Sequence, residues 1–447
     1  MSDKKVRIAF SSFPDFSGNS KALYEAIVKR NIKEFELVWL IKDKKVCDTL
    51  NEKGIKSFWE KDENFLDEYH KAKIVFLTHD DYINDKIDGQ ILISLWHGIG
   101  PKKSGFALHT QRDEMFIEKF SKAIDFMVAP SEFGLATFAY VFGVDIYSFL
   151  IYPQPRYEYL RISDGKENLS KLLNTDVNKY KKIIMYSPTF RTGLSQINGE
   201  LSKDNIINIK KYDENNLYEF LKKNNYLLVV KLHPSEESKI NIPSDCENIR
   251  IIKDADMLNN FITINEVLNA ADLLITDYSS IYIDYINLLR PILFINTDID
   301  KYESDRGIIY DSNFWFPGPS VNDYDCLTKE ITNLFDNEQY YKKEREDFNR
   351  LLNNNAELSN DKIIDEILLS GELFDKDKRT TLRMQNQLLK MEIKKLEEEK
   401  DKLIAQNNEI QQQSDKYFKE LEAIHYSRSY KMVQKVKKIL KKDGKKD

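Results

Sequence analysis

Along most of the chain, short apolar runs alternate with stretches of helical periodicity. Residues 6–11, 36–41, 74–78, 91–95 and 126–129 read as buried strands, and residues 21–30 and 114–122 carry apolar side chains at helical spacing. A second series begins at 183–186 and continues through 226–231, 273–276 and 291–295. Strands that are apolar throughout are covered on both faces, so the pattern predicts parallel sheets flanked by helices. Two such series predict two doubly wound α/β domains. Residues 152–178, with Pro153, Pro155 and a polar run, mark the join. The expected domains therefore span 1–160 and 161–370.

After Gly371 the pattern changes. Leu382, Leu389, Leu396, Leu403 and Ile410 recur every seven residues among Lys, Glu and Gln, with no Pro or Gly. This predicts a coiled coil over 375–424. Asn386, Ile393, Lys400, Asn407 and Ser414 fall at its a positions, where polar residues weaken the seam but fix register. A stripe so narrow is not buried by one helix alone, so self-association is expected. From His425 onward, nine Lys/Arg oppose Asp443 and Asp447, while Tyr430, Val433, Val436, Ile439 and Leu440 share one helical face. A basic amphipathic tail over 425–447 suits an anionic membrane surface; the alternative is a solvated tail.

Composition narrows the classes. The 447 residues are 41% hydrophobic and 31% charged, which supplies a core and excludes wholesale disorder. The formal charge of −6 excludes nucleic-acid binding by bulk charge. No apolar run is long enough to span a membrane, and Met1–Lys5 leads into a strand without a leader's apolar region. Cys47, Cys246 and Cys326 are far apart and odd in number, which fits a reducing, cytoplasmic setting. The six histidines show no zincin spacing. No metal site or cofactor is identified, and a divalent cation is required by no motif.

Four segments end a strand and continue directly in polar residues, which places them at the carboxyl edge of a parallel sheet. The first runs Trp96-His97-Gly98 and on through Lys102, Lys103 and Gly105. An imidazole there can accept a proton from a hydroxyl, and glycines allow close backbone approach to a ligand. The second, Ser187-Pro188-Thr189-Phe190-Arg191, offers a guanidinium fork for phosphate oxygens. The third is Lys231-Leu232-His233-Pro234. In the fourth, Thr276-Asp277-Tyr278-Ser279-Ser280, a serine caps a helix over 281–289 and leaves backbone N–H groups for an anion; Asp277 and Asp284 hold hydroxyls or a basic partner. Taken singly, each segment is equally a structural turn. P-loop, dinucleotide-fingerprint and nucleophile-elbow patterns are absent from the sequence.

In order, over residues 5–365, these strings resemble the CDP-glycerol glycerophosphotransferase family, the teichoic-acid primases and polymerases. Asn19-Ser20-Lys21-Ala22-Leu23-Tyr24, Pro155-Arg156, Arg290-Pro291 and Phe316-Pro317-Gly318-Pro319 agree as well. The chain departs from the family pattern at Ile99-Gly100-Pro101 and around Pro153–Glu158, where Glu158 stands at a common Asp position.

The resemblance implies a GT-B architecture, with the acceptor on the N-terminal domain and a CDP-activated polyol on the C-terminal one. It implies His97 as general base. Arg191, Lys231, His233, Asp277, Ser279, Ser280 and Asp284 would form the donor site, and Gly98, Lys102, Lys103 and Gly105 the acceptor and phosphate loop. A polyol phosphate, glycerol 3-phosphate in the first instance, would pass to a hydroxyl of a lipid-linked or polymeric acceptor, with release of CMP, at the inner face of the membrane. The alternatives are CDP-ribitol or another nucleotide-activated donor, a GT-B glycosyltransferase, and a non-catalytic coiled-coil scaffold.

Overall fold

Strands of uninterrupted apolar character pack as the pattern predicts, inside parallel sheets. In this computed structural model the described residues are 5–108, 110–189, 205–207, 209–237, 246–353, 359–371 and 376–443. β1 (Val6–Phe10), β2 (Phe35–Ile41), β3 (Ser57–Trp59), β4 (Ile74–Leu77), β5 (Ile91–Ser94), β6 (Phe126–Ala129) and β7 (Phe149–Ile151) form one sheet in the order 3-2-1-4-5-6-7. β8 (Lys182–Tyr186), β9 (Tyr226–Val230), β10 (Ile249–Ile251), β11 (Leu273–Thr276), β12 (Ile292–Ile295) and β13 (Ser320–Val321) form a second in the order 10-9-8-11-12-13. Neighbouring strands are parallel in both sheets. All four residues of β4, β5, β6, β11 and β12 are buried, which is why these strands read as unbroken apolar runs.

β3, β7, β10 and β13 were not signalled by the apolar pattern, and they are the four sheet edges. An edge strand pairs on one side only and stays short, so it leaves no apolar run to read.

Strand order reverses between β1 and β4 in the first sheet and between β8 and β11 in the second. The loops leaving those strands diverge and open a crevice at each carboxyl edge. Hydrogen bonds set the second crevice: Ser187 N–H donates to Ile275 O at 3.0 Å, and Thr276 Oγ1 donates to Ser187 O at 2.7 Å. The two halves are stitched by buried charge. Lys21 Nζ meets Glu266 Oε2 at 2.7 Å, and Arg156 Nη2 meets Asp284 Oδ1 at 2.8 Å. After the second sheet the chain returns to the first half, where Asn360 Nδ2 donates to Glu158 Oε2 at 2.6 Å.

Residues 1–371 form one compact unit and 372–447 another. The second consists of a 51-residue helix, Lys376–Tyr426, and a helix Arg428–Asp443. Among its described side chains the heptad residues Leu396, Leu403 and Ile410 are exposed, as are Met432, Val433 and Val436 of the basic helix. No described helix is long and apolar enough to cross a membrane.

Candidate active site

The loops leaving β1, β4, β5, β8, β9 and β11 enclose a cavity of about 560 Å³. His97, Lys102 and Arg156 line it from the first half, and Thr189, Lys231, His233 and Ser279 from the second. Phe13, Phe16, Met257 and Phe261 add an apolar wall.

His97 follows β5 through a strained step. Trp96 has φ 48°, a left-handed conformation that costs a side-chain-bearing residue about 1–2 kcal/mol. The strain turns the chain so that the His97 ring meets the backbone just past β4, where its Nδ1 lies 3.1 Å from Thr78 O. A carbonyl only accepts, so Nδ1 carries the proton and the neutral ring keeps its lone pair on Nε2. One edge of the ring stays open to the cleft. The protein packed around it nevertheless disfavours the charged form. Burial, His79, Arg156 and Lys102 together lower its pKa to about 3, against the Thr78 bond, which raises it. At neutral pH the ring is an unprotonated base.

The His97 backbone is held as firmly as the ring. Arg156 Nη1 donates to His97 O at 2.8 Å, and Asn19 Nδ2 donates to Trp96 O at 2.8 Å. Asn19 Oδ1 in turn accepts from Arg156 N–H at 3.1 Å. Gly98 has φ 118°, and a Cβ on it would lie 2.6 Å from Arg156 Nη2, so only glycine lets the guanidinium approach.

The other sequence-predicted residues divide into two groups. Ser279 and His233 reach the cavity; Lys102 borders both it and a neighbouring cavity of about 230 Å³, which Lys103 and Ser280 also line. Lys231 lines the main cavity, but its ammonium is engaged by Asp254 Oδ1 at 2.5 Å and Glu237 Oε1 at 3.5 Å. Asp277 is buried at 1% exposure, and its Oδ1 accepts from Thr189 N–H at 2.7 Å and Ser279 N–H at 3.1 Å. It brackets the loops after β8 and β11 from behind. Asp284 is likewise buried and holds Arg156; its Oδ2 accepts from Asn265 Nδ2 at 2.8 Å. Gly105 faces away from the cleft: a Cβ there would lie 2.1 Å from Val141 O, so packing requires this glycine. Arg191 lies outside the described residues.

The expected serine cap is corrected. Ser280 occupies the cap position of the helix Ile281–Tyr285 without a side-chain bond, and Asp277 takes the local backbone N–H instead. The helix has five residues and runs into a 3₁₀ turn, Ile286–Leu288, rather than continuing to 289.

Arg156, Asn19 and His79 lie in or against the site and were not singled out for chemistry from sequence. The first two sit in strings that carried the resemblance, and that was their only signal. Among the described residues, no group of three or more His, Cys, Asp or Glu is placed to hold a metal ion.

Residues 1–369 match the family described as CDP-Glycerol:Poly(glycerophosphate) glycerophosphotransferase. The chain is 28% identical over 352 residues to the teichoic acid poly(ribitol-phosphate) polymerase of Bacillus spizizenii, covering 73% of this chain and 50% of that protein. It is 26% identical over 351 residues to the teichoic acid poly(glycerol phosphate) polymerase of the same organism, covering 72% and 82%. The chain thus spans half the length of the first relative and most of the second. The solved wall teichoic acid polymerase TagF is similar in fold, with a TM-score of 0.66 and 25% identity, covering 85% of this chain and 92% of that one. The two parallel sheets facing a cleft are the GT-B-like architecture shared with TagF.

Proposed function

Because the chain belongs to the CDP-glycerol:poly(glycerophosphate) glycerophosphotransferase family, we propose that it transfers a polyol phosphate from a CDP-activated polyol to a hydroxyl of a lipid-linked or polymeric acceptor. The observation that carries this reading is the shared cavity, with neutral His97 on one wall and His233 and Ser279 on the other.

In the proposed reaction His97 Nε2 takes the proton of the acceptor hydroxyl as its oxygen attacks the donor's β-phosphorus. The bond between that phosphorus and the bridging oxygen breaks, and CMP leaves with the electron pair. The catalysis rests on positioning and charge stabilisation, which dominate phosphoryl transfer. Ser279, His233 and the Thr189 loop are suited to the diphosphate, and Lys102 to an acceptor phosphate. A TagF structure soaked with CDPG fits a CDP-linked donor.

Glycerol 3-phosphate is the first choice of cargo. Ribitol phosphate is the second, since a ribitol-phosphate and a glycerol-phosphate polymerase are similar to this chain at 28% and 26% identity. Purified protein offered CDP-glycerol, CDP-ribitol and UDP-sugars in parallel tests the reading. CMP release with a mass gain of one polyol phosphate on the acceptor supports it. Release of UDP alone would show a glycosyltransferase.

The helix Arg428–Asp443 is suited to an anionic membrane surface, each basic residue contributing about 1 kcal/mol near it. The exposed heptad residues Leu396, Leu403 and Ile410 are suited to a second copy of the same helix. Together they would place the enzyme at the inner face of the membrane, beside a lipid-linked acceptor.

A further inference from the structure

A second imidazole lies against the one assigned as base. The rings of His79 and His97 are stacked with centroids 4.4 Å apart and planes 14° apart. Trp96 touches the same His97 ring at 4.3 Å. One residue anchors both histidines: the Thr78 carbonyl takes His97 Nδ1, and the Thr78 hydroxyl lies 2.9 Å from His79 Nδ1. The edge of Phe13 closes on His79 from the loop after β1, with centroids at 5.8 Å.

We propose that His79 is a positioning residue for this reaction: it fixes the plane of the His97 ring, and it must itself be neutral for His97 to act as base. The inference rests on the reading of His97 as base.

A five-membered ring held only at Nδ1 can swing about that bond, which moves Nε2 away from an acceptor hydroxyl. Parallel stacking removes that freedom, and misplacement of about 1 Å can cost on the order of 100-fold in rate. Two imidazoles at this separation do not both carry charge easily, so a proton on His79 opposes the proton His97 must accept. Burial is the largest influence on His79 and lowers its pKa, and the charges around it are mixed. Asp80 and Asp81 on its own loop favour its protonated form, whereas Lys42, from the loop after β2, opposes it. Lys42 is itself bonded to Asp81, and Asp15 of the loop after β1 accepts from the Lys42 backbone. On the far side Arg156 and Lys102 act on His97. Asp80 and Asp81 raise the pKa of His79, whereas no carboxylate acts on His97, so His79 takes the first proton on acidification. The acid limb of activity then reports His79 although His97 does the chemistry.

The test compares full-length wild type, His79→Phe, His79→Ala and His97→Ala, measuring CMP release from CDP-glycerol between pH 5 and 9. His79→Phe keeps a flat ring and cannot titrate. It is expected to retain kcat within about 5-fold at pH 8 and to move the acid limb to lower pH. His79→Ala is expected to lose about 10- to 100-fold in kcat with the donor KM within about 2-fold, the range set by lost positioning. If either variant is unstable, the ¹⁵N signal of His97 in the other, followed against pH, gives the same answer: the His97 titration changes once His79 is gone. Acid limbs and kcat values equal to wild type in both His79 variants, with His97→Ala inactive, would overturn this inference and leave the base assignment standing. Full activity in His97→Ala would overturn both.

Discussion

Arg156 Nη2 lies 2.8 Å from Asp284 Oδ1, and this buried ion pair fixes the loop that carries the proposed base against the helix that follows Ser279 and Ser280. The two residues are 128 positions apart. Their contact crosses from one half of the molecule to the other at the point where the His97 carbonyl is also held.

Removing Asp284 strands the guanidinium. Truncating one partner of a buried pair costs about 3–5 kcal/mol because the other charge is left uncompensated. Asp284→Ala is therefore expected to lower the denaturation midpoint sharply and to reduce kcat by loosening the His97 backbone. Chemical denaturation alongside initial-rate measurements checks this. Unchanged stability would remove the ion pair from the account.

Gly98→Ala places a Cβ 2.6 Å from Arg156 Nη2 at a φ that side-chain-bearing residues avoid. The backbone term alone is about 1–2 kcal/mol. The variant is expected to fold with reduced stability and to lose turnover more than donor affinity, which thermal melting and calorimetric titration with CDP-glycerol resolve.

On the donor side, His233→Ala and Ser279→Ala are expected to weaken CDP-glycerol binding. A hydrogen bond to a charged group is worth about 1.5–3 kcal/mol, or roughly 10- to 150-fold in Kd. Equal calorimetric affinities in variant and wild type would take both residues out of the donor site.

Acid sensitivity follows from the lowered pKa of His97. The folded value is about 3, against an ordinary value of 6.5. Between these values the unfolded chain binds the proton and the folded chain does not, so this group's contribution to stability falls as pH drops from about 6.5 towards 3. His97→Phe is expected to flatten that part of the stability profile, as urea midpoints at successive pH values would record.

The sequence made the interior of each sheet legible because central parallel strands are buried on both faces: residues 126–129 and 273–276 fall on β6 and β11. The edges were silent because β3, β7, β10 and β13 are only two or three residues long. The site was legible where a residue follows its strand directly and points into the cleft, as His97, His233 and Ser279 do. Asp277 follows the same rule of position and Asp284 lies further on, in the helix Ile281–Tyr285, yet their side chains turn inward to hold backbone and guanidinium, a direction no linear pattern carries. Asn19 and Arg156 meet across 137 positions, so their joint grip on the residues around His97 existed only after folding.

The proposed transfer depends on the imidazole of His97, which shares one cavity with Thr189 and Ser279. A positioned base contributes about 10²–10⁴-fold to rate. With purified full-length protein, saturating CDP-glycerol and a defined acceptor, His97→Ala is expected to release CMP at least about 100-fold more slowly than wild type. Its calorimetric affinity for the donor should stay unchanged. Turnover of the variant at the wild-type rate would contradict the account.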